Sequence, residues 1–94
     1  MIIQILKLRT PLSETEITAI ARERVPEYRA VPGLLQKYYL KLDGGQFGAV
    51  YIWDSPESLN TFRESELAAT IASSYRVSEP PQIEFGDVLF QLRD

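Results

Sequence analysis

The chain has few side chains that can transfer a proton or attack a substrate, because its 94 residues include neither histidine nor cysteine. Imidazole bases, thiolate nucleophiles and zinc sites of the usual type are therefore not expected. Asn60 and Arg63 lie three residues apart in a predicted helix and so share one side of it. The amide could hold a carbonyl or enol oxygen, and the guanidinium could stabilise developing negative charge. We predict these two as the catalytic residues; the alternative for both is a solvated helix face.

Aromatic side chains dominate one row of a predicted strand. Alternation places four residues on the same face of the sheet: Phe47, Ala49, Tyr51 and Trp53. Tyrosine and tryptophan rings can stack on a flat aromatic ligand while their polar tips orient it. We therefore predict that Tyr51 and Trp53 bind substrate, with Trp53 at the strand end where a pocket mouth would lie. The alternative for both is a row of core residues beneath the helices.

Further candidates for the same pocket lie elsewhere in the chain. Arg24 interrupts the apolar side of the first predicted helix, so it could reach into the pocket or extend past the core to solvent. Tyr38 and Tyr39 point to opposite faces of one strand, and our prediction places Tyr38 in the pocket. Tyr75 follows the second helix, where a lid is expected, and its phenol can donate a hydrogen bond. Structural roles are the alternative for these tyrosines.

Length and charge limit the fold and the partners. A chain of 94 residues is predicted to form a single domain, 1–94. Its net charge of −3 and scattered basic residues argue against nucleic acid or an anionic membrane as a partner. The apolar start is too short and too polar for a signal peptide, so we expect a cytoplasmic protein. No metal or organic cofactor is predicted.

The order of elements predicts the fold. Four segments have strand character: 1–9, 34–42, 47–54 and 82–92. Ser13 and Glu16 form a capping-box pattern before a first helix, which Pro26 should end or kink. Residues 27–30 could add one more turn to that helix. Ser55 and Pro56 begin a second helix, with a break near residue 65. The order βαββαβ is that of a ferredoxin-like α+β fold, a four-stranded antiparallel sheet with both helices on one face.

Both faces of this sheet are apolar, although helices can cover only one. In the strand 47–54, for example, Val50 and Ile52 alternate with the aromatic row. A half-solvated antiparallel sheet should show one polar row. The uncovered face therefore needs a second sheet, and we predict a homodimer in which two sheets pack into an α+β barrel.

Three segments carry a resemblance to a known family. The run from Trp53 to Glu57, followed by Phe62 to Ser65, resembles the strand-to-helix junction of the antibiotic-biosynthesis-monooxygenase-like dimeric α+β barrels. The run from Val31 to Leu40 is similar to the YdhR-type branch, which implies monooxygenase activity. The resemblance places the ligand between the helices and the aromatic row. It also places Phe62 at the pocket, where the family often has a histidine.

The resemblance implies a cofactor-independent monooxygenase acting on a small aromatic or polyketide-like substrate. In that chemistry the substrate carbanion itself activates dioxygen, and the protein orients, desolvates and hydrogen-bonds the anion. With Phe62 in place of histidine, a histidine-ligated haem enzyme is disfavoured. Two alternatives remain: a non-catalytic ligand-binding or stress-related barrel, and an isomerase or cyclase that uses Asp87 or a helix carboxylate as a buried base. Asp87 is expected to be partly buried at a sheet edge or dimer contact, beside Gly86, which suggests a bulge or a close backbone approach.

Overall fold

The computed structural model describes residues 1–93 and has a ferredoxin-like α+β fold. The elements, in chain order, are β1 (Ile2–Arg9), α1 (Glu14–Arg29), β2 (Leu34–Lys41), β3 (Gln46–Trp53), α2 (Pro56–Arg63), α3 (Glu66–Ala69), α4 (Ile71–Ser74) and β4 (Gln82–Asp87). The sheet order is β2-β3-β1-β4, and every neighbouring pair is antiparallel. The predicted four-stranded sheet and βαββαβ order are confirmed.

The helix boundaries follow from local hydrogen bonding. The Ser13 hydroxyl accepts from the Glu16 amide, and the Glu16 carboxylate accepts from the Ser13 amide, which completes the predicted capping box. The Ser55 hydroxyl caps α2 by accepting from the Ser58 amide. Ser65 then caps α3, so the second helical segment is divided near the predicted break.

Pro26 does not end α1, which continues to Arg29 and so includes the further turn that the sequence allowed. Proline removes one backbone donor inside the helix and disfavours helical geometry. Packing offsets this penalty: Tyr28, two residues later, is buried with its ring centroid 6.0 Å from that of Phe62 and 6.3 Å from that of Tyr51. Tertiary burial of one aromatic side chain therefore extends the helix by its last turn.

An aromatic cluster joins the helices to the sheet. Tyr51 and Trp53 on β3 stack with an interplanar angle of 5°, and Phe62 of α2 lies 5.2 Å from the Trp53 ring. The Trp53 indole donates a 2.9 Å hydrogen bond to the side-chain oxygen of Gln4, and both residues are buried. This pairing satisfies the polar edge of the largest core side chain.

The last strand is shorter than predicted, since β4 ends at Asp87 and not near residue 92. The strand pairs only with β1, whose first residue, Ile2, already lies opposite Asp87. Beyond one further bond from the Val88 amide to the Met1 carbonyl, no partner strand continues. Gly86 pairs in regular register with Ile3, so the expected bulge is wrong. Three apolar residues after the strand are more than four-fifths exposed: Leu89, Phe90 and Leu92.

Gly33 should tolerate substitution poorly, because both its backbone conformation and its surroundings favour glycine. Its φ of +80° favours glycine, its carbonyl accepts from the Asp54 amide, and a Cβ there would overlap the Ser58 side chain. We expect Gly33→Ala to lower the free energy of unfolding by at least about 3 kcal/mol, from the left-handed backbone together with the overlap. Urea unfolding followed by fluorescence of the single tryptophan measures this.

Gly44→Ala is the matched control for that substitution. Gly44 has a φ of +75°, and a Cβ there would meet nothing within 4 Å. Only the cost of a left-handed backbone conformation for alanine remains, so the free energy of unfolding should fall by about 1–2 kcal/mol. Equal losses in the two variants would show that the contact with Ser58 does not constrain the β3–α2 junction.

Candidate functional site

A cavity of about 350 Å³ lies between α1 and the sheet, and Tyr75 closes one side of it. Much of its wall is apolar, formed by Leu6, Leu8, Ile17, Ala21, Ala49 and Ile71. The polar side chains that reach it include Glu14, Lys37, Tyr39, Lys41, Tyr51 and Tyr75. Such a volume with a few convergent polar groups is typical of a small-molecule site.

A lysine lies at the centre of the aromatic part of this cavity. The Lys37 ammonium nitrogen is 3.4 Å from the ring centroid of Tyr28 and 4.5 Å from those of Tyr39 and Tyr51. Within residues 1–93, Lys37 forms no ion pair with a carboxylate. The charge of a protonated Lys37 would therefore be balanced by aromatic faces alone.

Burial lowers the pKa of Lys37 from its ordinary value of 10.5 to about 7, and the nearby charge of Arg24 acts in the same direction. A change of that size corresponds to about 5 kcal/mol against the charged form. The closest aromatic face, that of Tyr28, stabilises the charged amine by about 2 kcal/mol. With burial as the largest cause, a pKa of about 7 leaves roughly half of Lys37 as a neutral amine with a free electron pair at neutral pH.

The surrounding phenols stay protonated at neutral pH. Burial raises the pKa of Tyr51 far above its ordinary value, and it raises the pKa of Tyr75 to about 12. Burial also raises the pKa values of Tyr28 and Tyr39. The Tyr28 hydroxyl is buried without a hydrogen-bond partner among the described residues. These groups can donate hydrogen bonds to an oxygen or oxyanion of a ligand, but they are poor bases.

A second opening reaches Lys37 from the outer edge of the sheet. This groove of about 400 Å³ lies between α1 and β2, and it shares Val25, Lys37 and Tyr39 with the main cavity. Tyr28 and Leu34 also line it. Lys37 therefore contributes to both openings.

Of the predicted pocket tyrosines, Tyr51 and Tyr75 line the cavity and Tyr38 does not. Tyr38 lies opposite Val50 on the open face of the sheet and is 53% exposed, so its placement in the pocket is wrong. The reason is a register shift between Leu34 and Gln36, which reverses the alternation after the start of β2. Tyr39 takes the expected position.

Two other predicted pocket residues belong to the core. Trp53 is completely buried and hydrogen-bonded to Gln4, so it does not form a pocket mouth. Phe62 packs against Trp53 and Tyr51 and is also absent from the cavity wall. Both residues pack against Tyr51, which itself lines the cavity.

The predicted catalytic pair lies on the exposed side of α2. Asn60 is exposed, and the Arg63 guanidinium lies 5.4 Å from the ring of Phe85 on β4. Neither side chain reaches the cavity of this protomer. Arg24, predicted to bind substrate, instead donates hydrogen bonds to the hydroxyls of Thr70 and Ser74, so it joins α1 to the α3–α4 segment.

Carboxylates contribute little to the cavity. Glu14 lies at its rim in an exposed ion pair with Lys41 at 3.2 Å. Asp87 is exposed at the end of β4 in one protomer, so its burial at a dimer contact stays a prediction. Within residues 1–93, no three histidine, cysteine, aspartate or glutamate side chains are grouped to hold a metal ion. No helix in this part of the chain has the length and apolar character needed to cross a bilayer.

Sequence reasoning missed Lys37, the most perturbed basic group of the site. One weak feature of the sequence could have indicated it: this lysine lies between aromatic and aliphatic residues in a strand that is apolar on both faces. Simple alternation already placed Lys37 and Tyr39 on the same side. The contact with Tyr28 depends on how α1 lies over the sheet, which the sequence pattern does not specify.

The lowered pKa of Lys37 predicts how stability depends on pH. The folded chain binds fewer protons at Lys37 than the unfolded chain between pH 7 and pH 10.5, so the free energy of unfolding should rise over that window. Relative to Lys37→Met, the wild type should gain about 2 kcal/mol between pH 7 and pH 9. Urea unfolding of both proteins at several pH values measures the difference.

Lys41→Met is the control, because Lys41 is exposed and paired with Glu14. Its difference from the wild type should stay nearly constant over the same pH range. A pH-independent difference for Lys37→Met as well would mean that the Lys37 amine is solvated in solution.

Comparison with known proteins rests on structure alone. No protein-family model matches the chain, and no curated protein matches it in sequence. Among solved structures, NE2512 from Nitrosomonas europaea, a protein of unknown function, has a TM-score of 0.78 at 20% identity, over 96% of this chain and 90% of that one.

Two further solved structures carry functional names. A "putative antibiotic biosynthesis monooxygenase" from Nitrosomonas europaea has a TM-score of 0.76 at 15% identity, over 96% of this chain and all (100%) of that one. SnoaB, a cofactor-independent oxygenase from Streptomyces nogalater, has a TM-score of 0.78 at 8% identity, over 99% and 97% of the chains. At these identities the likeness shows that the chain has the fold of antibiotic-biosynthesis-monooxygenase-like proteins.

Proposed function

We propose that the protein is a cofactor-independent monooxygenase of the YdhR type, acting on a small aromatic or polyketide-like phenol or enol. The single observation that carries this is the Lys37 amine, which lies in a cavity beneath α1 without a carboxylate partner among the described residues. The fold shared with SnoaB supports the reaction class. Lys37 supplies the base that a chain without histidine otherwise lacks.

The geometry supports a specific division of labour. A neutral Lys37 accepts the acidic proton of the bound phenol or enol, and the resulting ammonium stays beside the substrate anion. The phenols of Tyr51 and Tyr75 donate hydrogen bonds to the anionic oxygen, and the apolar wall excludes water. The carbanion then reduces dioxygen. For an anthrone, one methylene becomes a carbonyl, and the second oxygen atom leaves as water.

Assembly is part of the proposal. The open face of the sheet carries Ile3, Ile5, Val50 and Ile52, all only partly buried in one protomer. Removing such a continuous apolar surface from water favours association. We propose that two copies pair through this face, which would place the two ligand cavities on the outer, helical sides of the dimer.

Oxygen uptake with a panel of quinols and anthrones tests the activity. Lys37→Met should lower the rate with any active substrate by roughly 100-fold, because it removes the proton acceptor without adding volume. Lys7→Met is the charge-matched control, since Lys7 lies on the opposite face of the sheet, and it should keep the wild-type rate. Ligand binding without oxygen uptake would favour the non-catalytic barrel instead.

Two further variants in the same assay discriminate between sites. Asn60→Ala and Arg63→Ala remove the predicted catalytic pair on the exposed side of α2. If the reaction occurs in the cavity of one protomer, both variants should retain activity. A loss comparable to that of Lys37→Met would move the site to the α2 surface and restore the assignment made from the sequence.

A glutamate on the open face tests the dimer. Val50→Glu introduces a charge opposite Ile5, in the middle of that face, and should convert the protein to monomers at micromolar concentration. Ala19→Glu on the exposed side of α1 is the control and should leave the mass unchanged. Light scattering coupled to size-exclusion chromatography measures both. A wild-type protein that is already monomeric would refute the proposed pairing.

A further inference from the structure

We propose that Lys37 is also a nucleophile, which forms a covalent imine with small aldehydes and ketones that enter the cavity. This goes beyond the proposed oxygenase, because it needs neither dioxygen nor an acidic substrate. The argument rests on the position of the amine: Lys37 lines both the cavity beneath α1 and the groove at the edge of β2. A carbonyl ligand therefore has two routes to the same nitrogen.

The chemistry is a condensation without redox change. The Nζ electron pair attacks the carbonyl carbon, and the carbonyl oxygen becomes a hydroxyl. Loss of that hydroxyl as water leaves a carbon–nitrogen double bond, so one amine and one carbonyl give one imine and one water. The reaction needs a neutral amine and a donor to the departing oxygen. The Tyr39 and Tyr51 phenols, whose rings lie 4.5 Å from Nζ, line the cavity as protonated donors.

Among the described residues no carboxylate pairs with Lys37, and the aromatic faces attract a cation only in part. Facing Lys37 are Tyr28 and Arg24 from α1, Tyr39 from β2, Tyr51 from β3, and Tyr75 after α4. Four are neutral phenols and the fifth is a cation, so none of them stabilises an ammonium as a carboxylate would. The cavity wall is mostly apolar, which selects carbonyl compounds with an aromatic or aliphatic body.

The other two lysines of the chain provide internal controls. Lys41 is exposed at the cavity rim and paired with Glu14 at 3.2 Å. Lys7 lies on β1 opposite Gly48, on the face of the sheet that the helices do not cover. Lys41 is open to reagent in solution, whereas Lys7 is partly buried on the face through which we propose that two copies pair. A reaction driven by exposure alone would therefore favour Lys41 over Lys37.

Reductive trapping tests the proposal. The full chain is incubated at pH 7 in nitrogen-purged buffer with benzaldehyde and sodium cyanoborohydride, and the benzylated lysines are identified by peptide mass spectrometry. At equal times, Lys37 should be labelled at least roughly tenfold faster than Lys41, because burial beside the aromatic rings favours its neutral amine, the form that attacks a carbonyl. Exclusion of dioxygen makes this result independent of whether the protein is an oxygenase.

Two comparisons show whether labelling depends on the folded cavity. In urea the preference for Lys37 should disappear, and 2-naphthol, which has no carbonyl group, should protect Lys37 in the folded chain by occupying the cavity. Lys7→Arg should leave Lys37 labelling unchanged. Labelling of Lys37 that is no faster than that of Lys41, or a preference that persists in urea, would overturn the proposal. Failure of oxygen uptake alone would leave it standing.

Discussion

One extra residue in β2 determines which side chains meet the helices. Leu34 lies opposite Trp53, but Gln36 lies opposite Ile52, so Leu35 has no partner and the alternation reverses. Leu34 and Lys37 are three residues apart, so a regular strand would place them on opposite faces of the sheet. With the shift, Leu34 packs on the core and Lys37 lies opposite Tyr51 on the same face. Because a change of one residue exchanges the two faces of a strand, the contribution of β2 to the cavity, Lys37, Tyr39 and Lys41, depends on it.

The buried amine is tolerated because aromatic faces surround it. An isolated ammonium in an apolar site is costly, and the usual compensation is a carboxylate. Here Tyr28, Tyr39 and Tyr51 take that place, and they repay only part of the lost hydration. A carboxylate partner would stabilise the charged form more strongly, but it would also remove the free electron pair. Aromatic neighbours therefore stabilise the folded chain less than a carboxylate would, but they leave the Lys37 amine reactive, a compromise that is common at functional sites.

The sequence predicted the frame of the fold better than the site. Serine caps at Ser13 and Ser55 act through local hydrogen bonds, so their patterns were sufficient. The end of β4 depends on where β1 begins, and the continuation of α1 past Pro26 depends on burial of Tyr28; both are tertiary effects. The same applies to Trp53, whose strand-end position suggested a pocket mouth although Gln4 and Phe62 enclose it.

In the proposed function the reactive group lies on β2 and not on α2, because aromatic residues fill the core beneath α2. At the helix position where the family resemblance implies a histidine, Phe62 fills the core against Trp53 and Tyr51. A phenylalanine there can neither accept nor donate a proton, so the proposed reaction needs its base on another element. The edge strand β2 can supply it, since an edge position lets a long lysine side chain enter beneath α1 while its strand remains open on the outer side. Because one fold hosts many chemistries, the likeness to the solved structures shows the fold and leaves the base to be argued from the residues of the cavity itself.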